Sequence, residues 1–220
     1  MHLFNKSSFL FDMKSKMELS DIMVGLKKSI AKENPKKGLR TVEGKGEMTF
    51  EVYKLTCHLL VEDGSPESIF CICFLTLQWN LPSRSEATES ISFSQMTWES
   101  DHLKVYFLMR HSLNKDEARH AYSNPCCPGV CPIRAFAIYC LTFLLVAIDG
   151  GKLFLGADQK SRFGSKCLHK ILNNNRDLYH AKHVDPEELG THSIRKGATT
   201  YCCAGVHPGP PIVSVCLRAG

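Results

Sequence analysis

Thr191-His192-Ser193-Ile194-Arg195-Lys196-Gly197-Ala198-Thr199 is the stretch on which the reading of this chain turns. Gly190 precedes it, and the pattern predicts a helix from Gly190-Thr191-His192-Ser193 through Ala204, closed by Gly205. His192 and Arg195 are three apart, so on a helix they share one face. Close to a helix N-terminus that face carries partial positive charge and free N–H groups. A guanidinium fork beside an imidazole suits a phosphate with a leaving oxygen, Arg for the non-bridging oxygens and His for a proton. A solvated His-x-x-Arg face is the commoner explanation of the same spacing. A second arginine, Arg84, lies in Leu81-Pro82-Ser83-Arg84-Ser85-Glu86 at the end of an apolar helix. Alone it reads as a charge complementing the helix dipole. Brought beside Arg195 and His192, it would complete a strongly positive pocket for a phosphodiester.

Outward from these motifs the chain is mostly helical in pattern. Thr49 is the expected N-cap of a helix over Phe50–Glu62, stopped by Asp63-Gly64. Pro66–Leu81 reads as an apolar core helix. Ile91–Trp98 and Leu103–Leu108 read as a β-hairpin, with Arg119–Tyr122 as a third short strand. Pro132 opens a helix through Ala135–Ile148 that ends at Asp149-Gly150-Gly151. Lys152–Leu155 is extended, Ser161–Asn173 helical, and Asp185–Glu188 one further turn. Before all this, Leu19–Lys32 has helical spacing, and Lys32–Glu47 reads as a linker or exposed arm, with eight charged side chains among glycines and a proline. The fold class expected is therefore α+β, mostly helical, with one small antiparallel sheet. Residues 1–40 form an arm or linker and 41–220 the folded domain.

Composition sets the outer bounds. The 220 residues are 44% apolar and 22% charged, which excludes a disordered or collagen-like chain. A net charge of +5 permits an anionic partner without demanding one. The eleven cysteines are odd in number and several sit inside apolar runs, such as Phe70-Cys71-Ile72-Cys73-Phe74. They read as small hydrophobes of a reducing compartment rather than a disulfide framework, and Cys202 and Cys203 as buried. Cys126-Cys127-Pro128-Gly129-Val130-Cys131 near His120 lacks the second ligand pair that structural zinc sites show. The longest apolar run, Ala135–Ile148, is too short for a membrane span, which needs about 20 residues. No phosphate loop of Walker type is present. The expectation is an intracellular protein with no metal, nucleotide or other cofactor and no membrane.

His192-Ser193-Ile194-Arg195-Lys196-Gly197-Ala198, with an upstream Ser-Arg-Ser and an intervening β-hairpin, resembles the catalytic domain of tyrosine recombinases of the phage-integrase type. The likeness is nearest to the integrase-like domains of Crypton-type mobile elements. It is spread over Glu43–Tyr53, Phe74–Trp98, Arg119–Pro125, Val130–Tyr139, Leu153–Phe163, Thr191–Gly205 and Gly209–Gly220, in the family's order. The resemblance implies a duplex-DNA partner, self-association on DNA, and a nuclear location that follows from the DNA role alone. It implies that Arg84, His192 and Arg195 stabilise a pentacoordinate phosphate while a tyrosine attacks the strand. The family's hairpin lysine, which protonates the leaving 5′-hydroxyl, aligns with Leu113 and leaves Lys115 as a displaced substitute. The position three after the first arginine, often acidic in the family, is Ala87, so Glu86 and Glu89 take no acid role. Family members continue beyond the stretch matching Cys216–Gly220 with a Trp or His and then the nucleophilic tyrosine. Tyr201 reads as a core residue, and Tyr179 and Tyr122 have no motif support. The expectation is a domain with no nucleophile in this chain, not cleavage-competent by itself. A DNA-binding remnant and a non-catalytic interaction module are the alternatives.

Overall fold

The computed structural model describes residues 45–107, 118–143 and 151–204. The expected helix over Leu19–Lys32, the hairpin turn with Lys115, the end of the Ala135–Ile148 helix and the tail from Gly205 lie outside them.

Two capped helices open the domain. Helix α1, Phe50–Asp63, begins where the Thr49 hydroxyl accepts the Val52 N–H at 3.4 Å. It ends at Gly64, whose φ of 57° lets its N–H return to the Leu60 carbonyl at 3.3 Å. Helix α2, Pro66–Asn80, is capped by Ser65 and carries proline in its first turn, where the missing N–H costs nothing. Its apolar residues circle the axis: Phe70, Cys71, Cys73, Phe74, Leu75 and Leu77 are all fully buried. A helix apolar all round belongs at the centre of a fold. The other elements pack about it. Phe74 stacks on Phe163 at 4.3 Å and meets Phe154 at 5.0 Å, while Tyr139 meets Phe154 at 5.3 Å.

After the short helix α3, Ser85–Glu89, comes a three-stranded antiparallel sheet in the order β1-β2-β3. Its strands are β1 (Met96–Glu99), β2 (His102–Tyr106) and β3 (Ala118–Tyr122). Register pairs Trp98 with Leu103, Leu103 with Ala121 and Val105 with Arg119. Alternation turns Leu103, Val105, Arg119 and Ala121 inward.

The first strand starts five residues later than the expected Ile91. Ser92 and Gln95 fold the chain locally: the Gln95 Oε1 accepts the Ser92 N–H at 2.8 Å and closes a 3₁₀ turn over Phe93–Gln95. Ile91 instead accepts the Leu153 N–H at 2.8 Å, so Ser92 and Lys152 form an isolated bridge.

Helix α4 covers Pro132–Phe143. Helix α5 starts at Gln159, earlier than expected. It passes from Gln159–Ser161 through a π-type stretch, Arg162–Leu168, into His169–Asn174. A short helix, α6 (Arg176–His180), follows where sequence gave no periodicity to read. The turn Pro186–Glu188 is capped by Asp185, whose carboxylate accepts the Glu187 N–H at 2.9 Å.

Helix α7, Thr191–Cys203, carries the His-x-x-Arg motif. It is crossed by the chain entering the domain. Residues expected as the end of a linker are docked: Gly46 N–H donates to Glu188 O at 2.8 Å, and Met48 N–H to Ser193 O at 2.9 Å. Lys196 Nζ donates to Lys45 O at 2.8 Å, and Thr200 Oγ1 to Glu47 Oε2 at 2.8 Å. Met48 is fully buried. The approach needs Gly197, because a Cβ there would overlap the Met48 carbonyl oxygen and lie 2.7 Å from its carbon.

Two further expectations change. Tyr201 is not a core residue; it is 49% exposed and stacks on Phe50 at 4.4 Å. Cys203 is exposed and Cys202 half-buried, because the last turn of α7 rises out of the core. Cys57, Cys71 and Cys73 are fully buried, and burial pushes their thiols well up from the usual range. Among the described residues no helix is long and apolar enough to cross a membrane.

Candidate functional site

Arg84 sits immediately before α3, in extended backbone (φ −73°, ψ 152°), with its side chain exposed. Its carbonyl accepts the Thr88 N–H at 3.0 Å and the Thr88 hydroxyl at 3.2 Å. Thr88 Oγ1 also meets Ser83 Oγ at 2.7 Å, and both residues are buried. This small hydroxyl network holds the backbone on both sides of Arg84. The preceding residues are fixed from the sheet. Arg119 of β3, only 6% exposed, donates from Nη1 to Leu81 O at 2.7 Å and Pro82 O at 3.2 Å. Those carbonyls close α2 and have no acceptor role inside a helix, so a buried donor satisfies them. The Arg119 guanidinium also lies over the Phe107 ring at 4.9 Å.

Helix α7 brings the other two residues. Burial first, and then the positive charge of Arg84, push the Arg195 guanidinium below its usual range. The two cations thus stand close enough to repel each other in a half-buried place. His192, exposed on the first turn, is near Glu86 on α3. The Glu86 carboxyl is held below its ordinary value chiefly by Lys160, with His192 adding a smaller pull. The structure therefore gathers Arg84, His192 and Arg195 where α3 meets α7. Lys115 lies outside the described residues.

The carboxylates bordering this cluster are engaged with α5. Glu86 pairs with Lys160, and Glu89 Oε1 accepts the Gln159 N–H at 2.7 Å. A polar cleft of about 480 Å³ opens beside them at the start of α7, lined by Glu89, Asp158, Lys160, Ser161, Gly190 and Thr191. Ser193 Oγ accepts the Gly190 N–H at 3.0 Å and satisfies one of the donors at the α7 N-terminus.

All six tyrosines lie among the described residues, three with buried hydroxyl hydrogen bonds and three with exposed rings. Tyr53 donates to Val130 O, Tyr139 to Leu153 O, and the Tyr179 hydroxyl meets Thr56 Oγ1. Burial pushes Tyr139 and Tyr179 up to about 12. Tyr106 lies under Lys104, Tyr122 packs on His102, and Tyr201 on Phe50. Tyr201 is six residues after Arg195, turned about 240° round the helix from it. Among the described residues no group of three or more His, Cys, Asp or Glu could hold a metal ion.

Sequence reading missed two residues that shape this site. Arg119 was visible only as a strand residue. The alternation that turns Ala121 inward also turns Arg119 inward, which was the available signal. Gln78 carried none: it occupies an apolar helix, and only in space does its Nε2 donate to Ser85 Oγ at 3.2 Å and Thr191 O at 3.0 Å.

The architecture is that of a tyrosine-recombinase catalytic domain, mostly helical with a small three-stranded sheet. It is similar to a XerH site-specific recombinase bound to palindromic difH substrate in a post-cleavage complex, with a TM-score of 0.58 and 12% identity over 83% of this chain. The pre-cleavage complex of XerH with difH substrate gives a TM-score of 0.52 and 12% identity, again over 83% of this chain. The chain spans about half the length of these proteins, 49% and 52% respectively. No family model matches the sequence, and no curated protein is similar to it at the sequence level.

Proposed function

We propose that this domain binds the phosphodiester backbone of duplex DNA, with Arg84, His192 and Arg195 gripping one phosphate at the α3–α7 junction. The observation that carries the reading is the placement of Arg195 near Arg84, with its guanidinium lowered first by burial and then by the Arg84 charge. Two guanidiniums near one another raise the local positive potential and favour an anion between them. The fork of each guanidinium matches non-bridging oxygens, and His192, three residues before Arg195 on α7, is the donor assigned to a bridging one. Likeness to the XerH structures supports a role in DNA recombination, and the motif strings resemble those of Crypton-type integrases. In such a reaction a tyrosine oxygen would bond to phosphorus while the 5′-oxygen leaves with a proton, Lys115 being the candidate donor. Phosphate binding is the activity assigned to the residues described.

The test is duplex binding by fluorescence anisotropy across a salt series. Arg195→Ala should weaken binding about 10–100-fold, the worth of charge-assisted hydrogen bonds, and lower the log–log salt slope by about one. Lys196→Ala should cost less than about threefold, because its ammonium already donates to Lys45 O at 2.8 Å. Equal losses for the two variants would reduce His192 and Arg195 to ordinary surface charge.

A further inference from the structure

Gln78 lies in the last turn of α2 and is 1% exposed. Its Nε2 donates to two acceptors on separate elements: Ser85 Oγ at 3.2 Å and Thr191 O at 3.0 Å. Ser85 directly follows Arg84, and Thr191 directly precedes His192. One buried amide thus joins the two segments, 113 residues from Gln78 in one case and seven in the other, that carry the arginine and the histidine. The Thr191 carbonyl requires a donor, which fixes the amide with its nitrogen toward both segments. Its Oε1 meets no hydrogen-bond donor in the structure, although the atom is buried. A buried carbonyl oxygen without a donor keeps the cost of its lost hydration. An apolar side chain of the same length would avoid that cost, so packing alone does not account for a glutamine here.

We infer that Gln78 is a positioning residue for the phosphate site: its amide sets the distance between Arg84 and the His192–Arg195 face of α7 by bracing Ser85 against Thr191. It is neutral, so it braces a doubly cationic site without contributing charge to it. It touches neither the phosphate nor the reacting atoms, and acts through the residues it holds. The inference rests on the phosphate-binding reading above. It goes beyond that reading by stating what holds the segment of Arg84 against the segment of His192 and Arg195.

A double-mutant cycle on the full chain tests it, using a fluorescein-labelled duplex of mixed sequence and a thermal melt of each variant. Gln78→Met keeps length and apolar volume but donates nothing, and should weaken duplex binding about tenfold. Ser85→Ala, which removes only the Arg84 side of the brace, should cost about threefold. Gln78→Met introduced beside Arg84→Ala should cost less than about twofold further, since the brace has lost the arginine it positions. The coupling expected is therefore about fivefold or more, about 1 kcal/mol. A purely structural role predicts something else: the Gln78→Met loss would persist undiminished beside Arg84→Ala and would follow the fall in melting temperature. That result overturns the proposal, as does unchanged affinity in Gln78→Met. Should Gln78→Met fail to fold, the cycle of Ser85→Ala with Arg84→Ala decides by the same criterion. If Arg84→Ala and Arg195→Ala leave affinity unchanged, the phosphate site itself is wrong, and this proposal falls with it.

Discussion

Replacing Gly197 by alanine separates two physical effects by sign. Considered as a helix residue, Gly197→Ala should stabilise: alanine is favoured over glycine inside a helix by about 1 kcal/mol. The structure predicts the opposite. The new Cβ would overlap the carbonyl oxygen of Met48 and lie 2.7 Å from its carbonyl carbon and 3.2 Å from its Cα. Backbone, not a flexible side-chain end, must give way. Displacing it strains or breaks the Met48–Ser193 hydrogen bond at 2.9 Å and the Lys196–Lys45 bond at 2.8 Å, about 1 kcal/mol each. It also forces Met48 out of full burial or overpacks the core around it, about 1–3 kcal/mol. Subtracting the helix gain leaves a net loss of about 2–4 kcal/mol. For a domain of this size each kcal/mol lowers the melting temperature by about 2–4 °C, so a fall of roughly 5–15 °C is expected. Circular dichroism melts of the wild type and the variant measure it. A melting temperature equal to or above that of the wild type would refute the close crossing of Met48 over α7.

Two other perturbations have outcomes set by the geometry. Arg162 holds Glu67 through two parallel bonds of 2.8 and 2.7 Å, and that pairing is the main reason the Glu67 carboxyl lies down at about 2. A depressed folded value stabilises above the unfolded value of about 4.3 and is lost as pH falls through the folded one. The stability advantage of the wild type over Glu67→Gln, about 1 kcal/mol after solvent screening, should therefore be constant above about pH 5 and disappear toward pH 2. A pH-independent difference in urea midpoints would contradict this. Arg119→Met should lower the urea midpoint by an amount equivalent to about 2–4 kcal/mol, because the carbonyls of Leu81 and Pro82 lose a buried donor. An unchanged midpoint would show that water replaces the guanidinium without cost.

The helices were legible where local chemistry alone decides them. Thr49, Gly64, Ser65 and Pro66 punctuate α1 and α2 through caps and a proline, and these depend on neighbours within four residues. The start of β1 was not legible at Ile91, because the residue that draws it away from the hairpin is Leu153, over 60 positions later. The docking of Lys45–Met48 was likewise hidden. Its charged and glycine-rich sequence is that of a linker, and only the facing Glu188, Ser193 and Gly197 make it part of the fold. A glycine inside an otherwise good helix was the one mark left in the sequence. For the candidate site, the spacing of His192 and Arg195 put them on one face. Nothing near Arg84 in sequence could bring it to them, since that depends on how α3 meets α7. Tyr201 was misjudged for a related reason. Its aromatic partner Phe50 belongs to the edge of α1, where a ring can be stacked and still be half in water.

The crossing of Met48 over α7 also sets an order of events during synthesis. Its hydrogen bond to Ser193 joins residues 145 positions apart. At about 5–20 residues per second, roughly 7–30 s pass between the addition of Met48 and that of Ser193. Throughout that interval Met48 has no place to be buried, and Arg84 has no second guanidinium beside it. The helices around α2 can assemble in the meantime from nearer contacts. Lys45–Met48 is therefore the last segment to settle, and a ribosome-bound chain halted before α7 would hold Arg84 without His192 or Arg195. The proposed phosphate site is complete only once the segments of Arg84 and α7 have met.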